Sequence, residues 1–175
     1  MKRSRKIRLN YPAIPAFDTP RYLLGDIAAA AEVAPGTLKA WLSREPKVIP
    51  LGPHDPASRG KGISRLFTLR RAFAIAMTSE LVSLGLVAST AGDIAFRCTD
   101  FGSKDSDFLA AIEMTGSLFF SVSEDNLHIF HSDRHRISEI MAPSEAGNER
   151  SVSAAVIDCA GLMKRLKARL KARGA

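Results

Sequence analysis

The stretch YLLGDIAAAAEVAPGTLKAW, positions 22 to 41, constrains the fold more than any other part of the chain. Its apolar residues recur at helical spacing in two short segments, which predicts helices over 24–31 and 35–43 with almost no loop between them. Pro35 suits the first turn of the second helix. The small side chain of Ala28 lets two helices cross closely, as in a helix-turn-helix. The second helix then keeps an exposed edge, formed by Gly36, Thr37, Lys39, Ala40, Ser43 and Arg44.

Charge is distributed unevenly along the 175 residues, whose formal net charge is +7. Residues 1–71 carry 14 Lys/Arg against 5 Asp/Glu, residues 72–149 carry 4 against 12, and residues 150–175 carry 7 against 1. A basic first segment is typical of a module that binds a polyanion. The acidic middle would repel phosphates, so we expect it to face elsewhere.

Composition favours a cytoplasmic protein rather than a membrane or secreted one. The hydrophobic content of 46% is enough for a core, but no apolar run reaches the roughly 18 residues of a membrane span. The start MKRSRKIRL leads into polar sequence, unlike a secretory signal. Cys98 and Cys159 are solitary and far apart in sequence, which suits a reducing compartment and argues against a disulfide framework.

Several motifs occur in the order and spacing of a known DNA-binding domain. They are Tyr22-Leu23-Leu24-Gly25-Asp26-Ile27-Ala28, then Val33, then Thr37-Leu38-Lys39 and Trp41, and finally Arg65-Leu66-Phe67-Thr68. Together they resemble the N-terminal winged helix-turn-helix of the MerR family of transcriptional regulators. Two features depart from the family pattern: Glu32 stands where the family has a turn glycine, and Ala34 where it usually has a serine N-cap. The segment between Glu45 and Ile63 is also longer and richer in proline than a compact wing.

The resemblance implies that residues 21–98 form a winged helix-turn-helix. The residues on either side predict a basic, proline-containing arm over 1–20 and, where the family usually continues into a long dimerising helix, a small α+β module over 99–175 for dimerisation, an effector or a partner. The fold class expected for the whole chain is therefore α+β. The resemblance also implies a homodimer bound to double-stranded DNA in the nucleoid, with an unidentified small-molecule or protein effector and no cofactor.

The basic residues of the first domain are the candidate DNA contacts. The resemblance supports Thr37, Lys39 and Arg65, and it aligns Trp41 with a family aromatic, although Trp41 also suits a packing role. Charge and position add Arg44, Arg59 and Lys61, since arginines can fork onto phosphate oxygens or enter a narrow minor groove. All of these charges could instead be solvated surface groups. The arm adds Lys2, Arg3, Arg5, Lys6 and Arg8, as a further contact or as a solvated tail.

Helix signals continue through the rest of the first domain. Thr68 can cap a helix that runs to Leu84 and ends at Gly85, with a buried stripe of Phe73, Met77, Leu81 and Leu84. Ser89 can cap a shorter helix that ends near Arg97. The segment after Arg44 offers a short Val48-Ile49 strand.

The C-terminal part predicts a β-hairpin and a terminal helix. Residues 118–122 and 127–131 alternate, and a two-residue loop at Glu124-Asp125 would pair Val122 with Leu127. Residues 107–115 fit either a helix or a strand. SVSAAVI suggests a strand followed by a helix capped by Asp158, while an uninterrupted helix from residue 152 is the alternative. Either way, an apolar stripe needs a cover, and we expect dimerisation through Leu162, Leu166 and Leu170.

Other chemistries are less consistent with the sequence. His128 and His131 point to opposite faces of a strand, so a metal site with His135 would require the chain to bend. Gly60-Lys61 lacks the upstream glycine and the following Ser/Thr of a phosphate-binding loop. We therefore expect neither a metal site nor an enzyme.

Three functions remain open at this point. The first is a dimeric MerR-like transcriptional regulator. The second is an excisionase-like or architectural protein that uses the same domain to bend DNA. The third is a protein-interaction module whose helix-turn-helix no longer binds DNA.

Overall fold

The computed structural model describes residues 14–52, 55–56, 64–101, 118–122, 127–131 and 153–174. These residues are mostly helical, with two small antiparallel sheets, in agreement with an α+β class. The helices are α1 (Pro15–Asp18), α2 (Leu24–Ala30), α3 (Pro35–Ser43), α4 (Leu69–Ser83), α5 (Ala88–Phe96) with a π-helical turn over Arg97–Phe101, and α6 (Cys159–Ala172). The strands are β1 (Tyr22–Leu23), β2 (Leu66–Phe67), β3 (Leu118–Val122), β4 (Leu127–His131) and β5 (Ser153–Ile157).

Helix α4 is the centre of the core, and both of its predicted ends are confirmed. The Thr68 hydroxyl accepts the Arg71 amide at the N-terminus, and Gly85 follows the C-terminus with a φ of 96°. Phe73, Met77 and Leu81 are fully buried, as the periodicity predicts. Leu84 is 55% exposed, so the prediction that it joins this stripe is wrong. It lies past the last helical residue, where the chain turns away from the core.

Two further local predictions need correction. Ser89 does not cap α5, because the helix starts one residue earlier, at Ala88, with Val87 at the N-cap position. Val48 and Ile49 do not form a strand, because both of their amides donate to the Trp41 carbonyl, at 3.1 and 3.2 Å. Ile49 is nevertheless buried, so this segment is packed against the domain.

The C-terminal strands follow the predicted register. In the sheet β4–β3–β5, Val122 pairs with Leu127, Phe120 with Ile129 and Leu118 with His131. Strand β5 pairs antiparallel with the other edge of β3. The predicted turn at Glu124-Asp125, the segment 107–115 and His135 lie outside the described residues.

Helix α6 follows β5 directly, which decides between the two predictions for the C-terminus in favour of a strand and a separate helix. The Asp158 carboxylate accepts the Gly161 amide at 2.9 Å and caps the helix. Helix α6 lies against α2 and α4, and its residues Leu162, Leu166 and Leu170 are at most 5% exposed. The stripe that the sequence assigns to a dimer contact is therefore covered within the same chain, and the three leucines offer no free surface to a partner.

Two arginines of α4 are buried in ion pairs. Arg70 Nε and Nη2 donate to the Asp18 carboxylate of α1, at 2.6 and 3.0 Å. Arg71 Nη2 lies 2.8 Å from both Asp55 and Asp100. All five side chains are at most 4% exposed. This cluster, called here the arginine network, joins α1, the segment after α3 and the π-helical turn to α4.

Gly52 is required by the arginine network. A Cβ at this position would overlap Asp100 Oδ1 and lie 2.7 Å from Arg71 Nη2. Its amide donates to Asp55 Oδ2 at 2.7 Å, which turns that carboxylate inward. A side chain at residue 52 would therefore separate buried charges from their partners.

We expect Gly52→Ala to lower the free energy of unfolding by about 2–4 kcal/mol, because it overpacks and strains a buried ion pair. Gly25→Ala is the control, since nothing lies within 4 Å of a Cβ there; it should leave stability unchanged or raise it by up to about 1 kcal/mol. Urea titrations followed by circular dichroism measure both. Equal stabilities of the two variants would contradict the packing described here.

The two cysteines are free and buried, and they interact electrostatically. Burial first, and then repulsion from Cys159, raise the pKa of the Cys98 thiol well above its usual range. The two cysteines are 61 positions apart in the sequence, and their spacing gives no sign that they interact in the fold. The thiolate is the nucleophilic form of cysteine, so Cys98 should be inert in the folded chain, and Cys159, which is 1% exposed, should be shielded from reagents by its burial.

We expect the folded chain to resist iodoacetamide at pH 8 and to be labelled at both cysteines in urea, as mass spectrometry would show. Because the folded pKa of Cys98 exceeds the unfolded value of about 8.5, its contribution to stability is complete below that pH. It falls as the pH rises toward the folded pKa. Rapid labelling of the native chain, or stability that does not decline in that alkaline range, would contradict the burial of Cys98.

Candidate nucleic-acid interface

Helix α3 presents two different faces. Leu38 is fully buried and Trp41 is 9% exposed, so these residues anchor the helix to the core. Thr37, Lys39 and Arg44 are exposed. The inward positions follow the helical period of the apolar residues, and the outward positions form the predicted edge. The side chains proposed to contact DNA on this edge are therefore accessible together.

Trp41 differs from the other candidates. Its side chain is packed in the core, and its carbonyl receives the amides of Val48 and Ile49. The packing alternative is therefore correct, and a direct DNA contact through the indole is not supported. Trp41 instead fixes where the chain returns after α3.

The turn between α2 and α3 accommodates Glu32 at a φ of 55°, the backbone region that favours glycine. The Val33 amide donates to the Ala28 carbonyl at 2.8 Å and the Ala31 amide to the Ile27 carbonyl at 2.8 Å, closing the turn. A non-glycine residue here costs about 1 kcal/mol. Contacts outside the turn must offset this strain.

The N-terminus of α3 is electrostatically suited to an anion. No side chain caps it, Pro35 at its first position has no N–H to donate, and residues 35–37 are exposed. The nine residues of α3 include no carboxylate. Helix N-termini carry partial positive charge, which favours a phosphate nearby.

Strands β1 and β2 place Arg65 near the helix-turn-helix. Tyr22 pairs with Phe67 and Leu23 with Leu66, so the strand entering α2 lies beside the strand entering α4. Arg65 directly precedes β2 and is partly buried. Its Nε has no hydrogen-bond partner among the residues described. The other two basic candidates of this segment, Arg59 and Lys61, lie outside the described residues.

The carboxylates of the helix-turn-helix are neutralised by α6. Glu32 Oε1 lies 2.9 Å from Arg169 Nη2, and Asp26 Oδ1 lies 3.6 Å from Arg173 Nε. A third arginine of α6, Arg165, pairs with Glu80 of α4 at 3.0 Å. Each pairing reduces the negative potential that the carboxylate produces at this surface.

A cleft of about 190 Å³ opens between the turn, α4 and α6. Its lining includes the pairs Arg165–Glu80 and Arg169–Glu32, together with small alanines and buried leucines. The charged groups in it satisfy each other. The cleft therefore shows no unpaired charge that would require a ligand.

The described residues contain no group of three or more His, Cys, Asp or Glu that could hold a metal ion. Within the same residues, no helix has the length and apolar character needed to cross a bilayer. Neither finding bears on the segments outside the description, where His135 and the residues between β4 and β5 lie.

Two groups of paired charged residues were not predicted from the sequence. One is the arginine network, whose signal is the Arg70-Arg71 pair at the start of an otherwise apolar helix. The other is the set of arginines on α6, which recur every four residues beside the apolar stripe. Charges beside an apolar stripe usually indicate a solvent-exposed helix face, and only the packing of α6 against α2 and α4 shows which residues they pair with.

No protein-family model and no curated protein matches the sequence.

Substitutions on the two faces of α3 should change stability by very different amounts. Trp41→Ala should lower the free energy of unfolding by about 3–5 kcal/mol, because it removes a large buried side chain. Lys39→Ala should change it by less than about 0.5 kcal/mol, since Lys39 is exposed. Chemical denaturation measures both. A small effect at Trp41 would show that the indole is not part of the core.

Proposed function

We propose that the chain is a MerR-like, DNA-binding transcriptional regulator that reads operator DNA with α3 and with the segment before β2. The observation that carries the proposal is the exposed edge of α3. Thr37 and Lys39 lie in its first two turns near an uncapped N-terminus, Arg44 lies at its C-terminal end, and the helix itself carries no carboxylate. Side chains of these types bind phosphates and base edges.

The surroundings of α3 support the same function. The pairing of β1 with β2 places Leu66, the residue after Arg65, beside Leu23 at the entry of α2. The carboxylates Asp26 and Glu32 are compensated by arginines. Few side chains on this edge can contact base edges, since Gly36 has no side chain and Ala40 has only a methyl group. Specificity would then depend on DNA shape and on the spacing of half-sites.

The proposal retains a homodimer, because a single α3 reads one short half-site. The contact between protomers lies elsewhere than Leu162, Leu166 and Leu170, which are buried within the chain. An effector, whether a small molecule or a protein, remains part of the proposal without a residue assigned to it.

The test is genome-wide footprinting of the protein on its own chromosomal DNA, followed by binding measurements on the recovered fragments. We expect discrete sites, lost or weakened about tenfold in Arg65→Ala and Lys39→Ala, because each removes a phosphate or base contact. The slope of log K against log salt should fall by about one for a phosphate contact.

Arg97→Ala is the matched control. It removes one positive charge from an exposed arginine at the end of α5, which pairs with Asp93 at 2.8 Å. DNA affinity should stay within about twofold of the original. No enriched site, or equal losses in all three variants, would reject sequence- or shape-directed regulation and favour an interaction with protein partners.

A further inference from the structure

The turn of the helix-turn-helix is held from outside by one residue of α6. Arg169 Nη1 donates to the Ala30 carbonyl at 3.1 Å, and its Nη2 lies 2.9 Å from the Glu32 carboxylate. Ala30 is the last residue of α2, where helix carbonyls lack partners within the helix. One guanidinium therefore bridges the end of α2 and the residue of the turn that has a positive φ.

Arg169 can hold the turn in one position because its own helix is packed in the core. Leu166 and Leu170, on either side of it, are each 1% exposed. Arg173, which directly follows the helix, adds a contact to Asp26 of α2 at 3.6 Å. The planar guanidinium has donors in a fixed geometry, so it can hold two acceptors at once.

Since Glu32 adopts an unfavourable backbone conformation, the turn needs an external contact to remain in it. The conformation of residue 32 sets the direction in which α3 leaves α2. It thereby sets where Thr37 and Lys39 lie relative to the rest of the domain.

We infer that Arg169 is a positioning residue for DNA recognition: from α6 it holds the turn at Glu32 and so fixes the orientation of α3. The inference rests on the proposed function. It assigns to a residue remote in sequence, 139 positions from Ala30, a role in DNA affinity without contact with DNA. It also makes α6 part of the DNA-binding unit.

The full-length chain provides a matched pair of variants. Arg169→Ala and Arg165→Ala each remove one partly exposed arginine from the same helix, and only Arg169 contacts the turn. We expect Arg169→Ala to weaken binding to the footprinted DNA about five- to tenfold and Arg165→Ala by less than twofold. The salt slope should not change for Arg169→Ala, because no phosphate contact is lost.

A rescue separates positioning from a general structural or charge effect. Glycine adopts a positive φ at no steric cost, so Glu32→Gly combined with Arg169→Ala should return the affinity to within about twofold of the original. Glu32→Gln combined with Arg169→Ala removes the same charge and keeps the side chain, and it should not rescue. Rescue by both, or by neither, would overturn the inference.

Hydrogen exchange gives a readout that does not depend on DNA. The Val33 amide, bonded to the Ala28 carbonyl, should exchange at least about fivefold faster in Arg169→Ala than in Arg165→Ala. Equal exchange in the two variants would overturn the inference even if the protein binds DNA. If exchange is faster only in Arg169→Ala but the protein binds no DNA, the contact of Arg169 with the turn is supported. The proposed function and the role of Arg169 in recognition are then both rejected.

Discussion

The arginine network is the interaction on which the rest of the structure depends. Arg70 and Arg71 emerge from the first turn of α4 into a site with almost no solvent, where Asp18, Asp55 and Asp100 meet them. The Arg71 guanidinium also stacks on the Phe96 ring, 5.4 Å from its centroid. Burying charge is unfavourable unless each charge is paired. The segments that supply the carboxylates must therefore all be in place for α4 to fold as it does.

This dependence links the network to the candidate interface. Asp55 lies after α3 in sequence, and its pair with Arg71 fixes that part of the chain to α4. Asp18 lies just before β1, the strand that enters α2. The chain before α2 and the chain after α3 are thus both fixed to α4 by charges of opposite sign, a directional constraint that apolar packing alone would not provide.

The local elements were largely predictable from sequence, because their signals are local. Thr68 and Gly85 bound α4, the alternation of 118–131 sets the hairpin register, and Asp158 starts α6. The misses at Ser89, Val48 and Leu84 lie at element ends or in irregular chain, where a carbonyl such as that of Trp41 competes for the amides. Of the candidate site, the exposed edge of α3 was predictable from its period, and the inward orientation of Trp41 remained one of two alternatives.

By itself, the sequence determined which segments are helices and strands, which face of each is apolar, and that the stripe on α6 needs a cover. It could not determine what that cover is, because burying an apolar stripe removes the same surface from water whether the partner is another chain or another part of the same chain. The tertiary structure decided this by placing α6 on α2 and α4, where its arginines meet Glu80, Glu32 and Asp26. Partners this remote in sequence leave no periodic pattern, so only the folded chain shows that the last helix packs on α2 and α4.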